Sequence, residues 1–572
     1  MNLKKIIFKN VILIVILLVA SFLRLYKISS DPVSLFGDEL DVGYHAYSIL
    51  KTGKDYSGNF MPLHFQSLAE WRTPLYLYSA VPTVAIFGIN ALGVRLPAAI
   101  FGILGILGIY LLIKELTDNK NLGLISAAIL AINPWHLQYS RTGFEVTMLL
   151  TFLLFGLYIF FKSLKNGKYL WLSAGLLVLT PLIYSTAKLF TPFLLVFLII
   201  FFKKEIFSLP KKYLINTLIT LLILGGITSY AVLFSGGGQR FNYISVFSDP
   251  IVEPEVGTLR LQDSRFRGET GTGLSPKLLD RIMHNKFVFW GNTISNNFLE
   301  SLSVEFLFAK GDPNPRHSST GVGEFYKVEF IAIILGLILF ISDKNQNFKL
   351  KLFILFWIIA GIIPASITRD GGNHATRLIL ILPPLIFLIS YGVKKLFEMK
   401  KIVIIIYFAI LILEFGSYLH LYYIHYPWDS ERWWHTGWKE SIQTIKGIEK
   451  DYDKVIITMA DEPAWIFFAG WYEYPPSLWQ KEFPIGNDVE VAGFGKISHT
   501  GKFYFGSPNK DENGIYGLEK VITEKDLYLA SAKEIPWNLI MDPTKKPNGL
   551  TLIKSIAFPS GEPAFYLFTK AK

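Results

Sequence analysis

The feature that most constrains this chain is a succession of apolar runs, nearly all long enough to cross a bilayer and many ending beside lysine. A spanning helix needs about 20 mainly apolar residues, and only a helix satisfies its own backbone where no water is present. Lysine clusters occur at Lys4/Lys5/Lys9, Lys114/Lys120, Lys162/Lys165/Lys168, Lys203/Lys204/Lys211/Lys212, Lys344/Lys349/Lys351 and Lys394/Lys395/Lys400/Lys401. Positive residues beside spans mark the cytoplasmic side. Turning every cluster inward predicts about eleven transmembrane helices with a cytoplasmic N-terminus. They lie near residues 7–26, 94–113, 121–138, 145–161, 169–185, 187–202, 213–234, 329–342, 352–367, 376–393 and 402–421. The run from Leu75 to Ile89 is broken by Pro82 and short for a span, so it is placed as a helix at the outer surface.

Composition agrees with a polytopic α-helical membrane protein. The 572 residues are 51% hydrophobic and only 18% charged, against about 25% charged in soluble domains. The first apolar run has no small-residue cleavage site after it, which predicts an uncleaved anchor rather than a signal peptide. The net charge of +11 is accounted for by the inner lysines, so no nucleic-acid partner is expected. With no cysteine, disulfides, thiolate catalysis and Cys-ligated metals are excluded.

This threading defines a transmembrane domain over residues 1–421, with a first outer loop at 27–93 and a large outer loop at 235–328. Beyond it, residues 422–572 turn polar and mixed. Tyr452 to Thr458 and Ala564 to Thr569 read as strands and Lys439 to Lys450 as a helix, predicting a C-terminal extracytoplasmic α/β domain.

The outer segments carry the chemistry. Asp38, Glu39 and Asp41 crowd together just after the first span. Outer turns carry arginine where inner ones carry lysine, and a guanidinium fork matches phosphate oxygens. Arg141, Arg369 and Arg377, with His374 and Lys188, therefore read as an anion site, and Arg316 and His317 add a further cation pair. Glu145 lies four residues after Arg141, a spacing that pairs them if helical. Asp41 and His45 lack a third metal ligand, and the outer cations can match a phosphate charge unaided, so no metal or other cofactor is expected.

Four motifs resemble one known family: GDE at Gly37 to Glu39, SR-x3-E at Ser140 to Glu145, GDPNPRHSSTGVGEFY at Gly311 to Tyr326, and H-x-x-R at His374 to Arg377. They are similar to the family 39 membrane glycosyltransferases of GT-C fold, which include protein O-mannosyltransferases and the transferases that put aminoarabinose on lipid A. The resemblance implies an inverting enzyme that moves a sugar from a polyprenyl-phosphate donor to an extracytoplasmic acceptor, whether protein, lipid or polysaccharide. It implies Asp38 as general base, with Glu39 beside it orienting the acceptor or an arginine. Arg141, Glu145, Lys188, Arg316, His317, Arg369, His374 and Arg377 then become substrate-binding residues. The protein O-mannosyltransferases carry an aspartate where this chain has Glu145, which leaves the acceptor class open. Two other readings are a transporter or flippase of lipid-linked sugars and a noncatalytic envelope assembly protein. A multi-pass place in the cell membrane, in contact with membrane lipid, is common to all three.

Overall fold

The computed structural model describes residues 3–67, 71–270, 276–482 and 488–571. Among these residues, six helices are long and apolar enough to cross a membrane: Ala91–Thr117, Val146–Ser163, Lys211–Phe234, Phe348–Ser366, Ala375–Leu396 and Lys401–Asp429. Six shorter apolar helices accompany them, at Asn10–Leu25, Pro74–Phe87, Lys120–Ile132, Leu170–Leu182, Ala187–Phe201 and Glu329–Ser342. Each of the eleven expected runs overlaps helical residues, although 121–138 is split between Lys120–Ile132 and Pro134–Ser140 and 169–185 runs past Leu170–Val178. The interrupted run at Pro82 is also helical, with that proline inside it.

Local sequence explains the helix starts. The Asn119 side chain accepts the Leu122 N–H, and Asn347 accepts that of Lys349, each satisfying a donor that the first helical turn leaves orphaned. Burial then separates two kinds of helix. The apolar window of Ala375–Leu396 is 94% buried inside the protein, whereas that of Lys211–Phe234 is only 11% buried. An apolar helix exposed nearly all round is stable when its solvent is lipid.

The chain divides into two compact units. The first comprises Met1–Leu23, Phe101–Tyr139 and Glu145–Tyr418. Its tightest helix crossing sets Glu329–Ser342 against Leu382–Leu396. A Cβ on Gly336 would meet the Leu388 carbonyl oxygen at 1.9 Å, and one on Gly392 would meet that of Ala332 at 2.0 Å. Only glycine lets these backbones approach so closely.

The second unit comprises Arg24–Ile100, Ser140–Phe144 and Leu419–Lys572. Residues 24–100 and 140–144 thus fold together with the C-terminal residues. Helix Gly37–Thr52 carries the acidic stretch. Its Tyr44 hydroxyl donates to the Tyr474 carbonyl at 3.0 Å, and the Gln480 amide donates to Ser48, Thr52 and the Asp55 carbonyl. Leu40 fills the space left by Gly470, where a Cβ would lie 2.8 Å from it.

The same unit holds a seven-stranded mixed sheet. A short hairpin of β1 (Phe65–Gln66) and β2 (Trp71–Arg72) precedes it. The sheet consists of β3 (Lys454–Ile457), β4 (Val489–Val491), β5 (Gly495–Thr500), β6 (Phe503–Phe505), β7 (Asp526–Ser531), β8 (Leu550–Ala557) and β9 (Pro563–Lys570), ordered β4-β5-β6-β3-β7-β9-β8. β3 is central and parallel to both β6 and β7; every other pairing is antiparallel. Ile456, Tyr528, Tyr566 and Phe568 lie in the core on one side of this sheet.

Candidate functional site

The three crowded carboxylates have separate fates. Asp38 and Glu39 occupy the first turn of helix Gly37–Thr52, where the helix dipole favours negative charge. Glu39 is fully buried and clamped by the equally buried Arg95: Nε donates to Oε1 at 2.7 Å and Nη2 to Oε2 at 2.8 Å. The Gly143 N–H also donates to Oε1, at 2.7 Å. Arg95 spends its other donors on the carbonyls of Ile28, Pro32 and Ser34, so its five N–H groups are all satisfied. Its guanidinium sits 5.4 Å from the ring centroid of Trp434. Glu39, expected to orient the acceptor or an arginine, holds Arg95, and through it and Gly143 ties the 28–34 segment and the 140–144 turn to the helix.

Asp41 is also buried. Its Oδ1 accepts the Tyr56 hydroxyl at 2.6 Å, and Oδ2 lies 3.4 Å from Arg72 Nη1. Burial pushes the Asp41 carboxyl up to about 6, although Arg72 and Tyr56 pull it down. His45 stacks on Tyr56 with ring centroids 3.7 Å apart, and its Nε2 lies 3.1 Å from the Gln66 carbonyl. Burial lowers the imidazole to about 3, so it is neutral and Nε2–H is the donor. Asp41 and His45 thus belong to a packed structural network.

Asp38 differs from both. Its backbone carbonyl accepts Arg72 Nη1 at 2.8 Å, yet among the described residues its half-buried side chain makes no hydrogen bond or ion pair. Of the three carboxylates it is the one left available to a ligand. A carboxylate that can reach a hydroxyl without first breaking a bond of its own is what general-base chemistry requires.

The expected anion-binding residues are divided between the two units. Arg141, in the second unit, donates through Nε to the Tyr422 hydroxyl at 3.2 Å and through Nη2 to the Asp31 carbonyl at 3.0 Å, beneath the faces of Tyr422 and Tyr423. The others lie in the first unit. Glu145 is buried at the start of helix Val146–Ser163, again in a dipole-favoured position. Lys188 donates to the Gly237 carbonyl at 2.8 Å, tying down the glycine-rich loop. Arg369 donates to the Ser248 carbonyl at 3.2 Å and lies 3.6 Å from Asp249. Arg377 donates to Thr368 Oγ1 at 2.7 Å and pairs with Asp370, which is 67% exposed. Arg316 is half-buried, and its carbonyl accepts the Gln138 amide at 2.8 Å.

His317 and His374 are brought together around a residue that the sequence reading treated as a turn former. Asp312 Oδ2 lies 2.9 Å from His317 Nδ1 and 3.8 Å from His374 Nδ1, and the two rings stack at 4.7 Å. Burial raises the Asp312 carboxyl, but the two histidines outweigh it and hold the group below its ordinary range. Burial and the Asp312 charge push Glu324 well above its own range, and it accepts the Asp312 N–H at 3.1 Å. Sequence reasoning missed Arg95, Arg72 and Asp312. Arg95 carried a legible signal, a guanidinium inside the apolar stretch ALGVRLPAAI, where a charge needs a partner. Asp312 carried none.

Residues 72–227 match the family model described as dolichyl-phosphate-mannose-protein mannosyltransferase. Of the four motifs, only Ser140 to Glu145 falls inside that range. Two proteins of Bacillus subtilis strain 168 that carry mannosyltransferase names are similar: YkcB is 25% identical over 38% of this chain, and YycA 27% identical over 28%. The matched segments span only 30% and 22% of those relatives' lengths. An oligosaccharyltransferase of Archaeoglobus fulgidus, solved with a tethered acceptor peptide, aligns over 99% of this chain and 74% of its own, with TM-score 0.50 and 14% identity. That likeness shows a shared fold. ArnT of Cupriavidus metallidurans, solved with undecaprenyl phosphate, aligns over 98% of each chain with TM-score 0.48 and 12% identity. The chain is similar to the membrane mannosyltransferases, and its helices form a multi-pass membrane fold.

Proposed function

We propose that this protein is an inverting glycosyltransferase that moves a hexose or pentose from a polyprenyl-phosphate carrier to an acceptor outside the cytoplasm. The observation that carries the reading is the Asp38 carboxylate, held at a helix N-terminus and left unengaged while Glu39 and Asp41 are consumed by Arg95, Tyr56 and Arg72. The acceptor hydroxyl gives its proton to Asp38 as its oxygen bonds to the anomeric carbon. The bond from that carbon to the carrier's phosphate oxygen breaks on the opposite side, and the phosphate leaves as an anion. One carboxylate suffices, because this leaving group needs positive charge rather than a proton. By the family resemblance Arg377 is the candidate for supplying that charge; its ion-pair partner Asp370 is exposed. The description of the matched family supports a lipid-phosphate sugar donor and favours mannose.

The test is to incubate membranes containing the protein with a panel of radiolabelled polyprenyl-phosphate sugars. The expected result is label from one donor in a stable protein, lipid or polysaccharide product. Donor that crosses the membrane with its label still on the carrier would make the protein a transporter instead.

The proposed topology has about eleven spans, with residues 1–421 as the membrane domain and residues 422–572 outside. Because the chain lacks cysteine, single probes can be introduced without background. Asp511→Cys is expected to react with an impermeant maleimide on intact cells, and Asn345→Cys only after permeabilisation; both positions are exposed. Labelling of Asn345→Cys in intact cells would overturn the threading. Position 143 is unsuited as a probe, since a Cβ on Gly143 would lie 3.0 Å from Val94 and 3.1 Å from Glu39.

A further inference from the structure

We infer that Asp312, His317 and His374 form a binding site for a divalent transition metal, with zinc the best match. One ligand atom from each lies within 4.8 Å of those of the other two. These carboxylate and imidazole groups lie outside the 38–41 stretch.

The distances bracket what zinc requires. A tetrahedral ion with bonds of about 2.0–2.1 Å separates its ligand atoms by roughly 3.3 Å. Asp312 Oδ2 stands at 2.9 Å from one imidazole Nδ1 and 3.8 Å from the other. The shorter separation is a hydrogen bond, and the longer one exceeds hydrogen-bond range. With a metal ion in place of the proton between Asp312 and His317, small side-chain rotations would bring the carboxylate oxygen and both imidazole nitrogens onto the ion. Two imidazoles and a carboxylate suit zinc and its neighbours, whereas calcium and magnesium prefer all-oxygen shells. Three protein ligands leave a fourth position for water or an oxyanion.

The surroundings hold the aspartate ready. Gly311 has φ +72°, and a Cβ there would lie 2.3 Å from Ser318 Oγ, so only glycine delivers Asp312 in this position. Asp312 Oδ1 accepts the Asn314 N–H at 2.8 Å, and Oδ2 accepts the Ala375 N–H at 2.8 Å, joining the two loops before any ion binds. On the other loop, the Trp135 indole donates to the Ala375 carbonyl at 3.1 Å and Tyr139 bonds Thr376 at 2.6 Å. Such outer partners orient metal ligands and raise affinity. Bound zinc would cross-link the loop after residue 310 to the loop before residue 375, about 60 residues apart in sequence, a long closure of the kind that gains most from a clip.

The experiment uses the full-length chain in detergent, purified through a tag without histidine, stripped with EDTA and re-equilibrated with zinc. Mass spectrometry of the metal is expected to find about one zinc per chain after gel filtration, as three ligands from one site would hold. Zinc is expected to raise the unfolding temperature of the wild type. In Asp312→Asn, His317→Gln and His374→Gln, retention is expected to fall at least about tenfold and the zinc-dependent rise to vanish. Each variant serves as its own folding control through its zinc-free unfolding temperature. If the wild type retains no zinc, or if folded variants retain as much as it does, the site is overturned; the second result would mark the ion as adventitious.

Discussion

Asp38→Asn is expected to abolish sugar transfer while leaving the fold and carrier binding intact. Loss of a general base removes a contribution of about 10²–10⁴-fold from turnover. Since the Asp38 side chain makes no hydrogen bond or ion pair among the described residues, the isosteric change should leave the unfolding temperature where it was. Arg377→Ala should differ in kind, weakening carrier binding as well as turnover, because a phosphate partner acts in the ground state too. Both are read from initial rates against donor concentration, with donor binding measured separately. Transfer by Asp38→Asn at the wild-type rate would remove Asp38 from the mechanism and send the search for a base to Glu145.

Glu39→Gln is expected to act on stability first. The Glu39–Arg95 pair is wholly buried, and removing one partner of such a pair leaves an uncompensated charge at a cost of about 3–5 kcal/mol. The amide cannot return two charge-assisted bonds to Arg95 while also accepting the Gly143 N–H. The measurement is thermal unfolding in detergent at a fixed scan rate, with activity assayed on the folded fraction. A large drop in unfolding temperature with activity per folded molecule reduced only modestly is the expected pattern. Wild-type stability with lost transfer would restore Glu39 to the catalytic pair.

These two expectations diverge for adjacent residues, and nothing in the stretch FGDELD distinguishes them. Their difference comes from Arg95, 56 positions from Glu39, and from Gly143, 104 positions away. The same holds for His317 and His374. Read locally they were cations for a phosphate, but the fold sets both against Asp312.

What the sequence determined by itself was the membrane frame. Hydrocarbon imposes a length and an apolarity on every span; that signal is local, so helices fall where the apolar runs are. Two strands and a helix of the C-terminal region were legible for the same reason: Tyr452 to Thr458 contains β3, Ala564 to Thr569 lies within β9, and Lys439 to Lys450 overlaps Trp438–Ile448. The order of the sheet, the joining of the first outer loop to the C-terminal residues, and the division of three carboxylates into one available and two engaged were decided by the tertiary structure alone. Each depends on which distant segment supplies a partner, and a buried charge must find that partner wherever the chain brings it, a requirement that leaves no period or spacing along the sequence to be read.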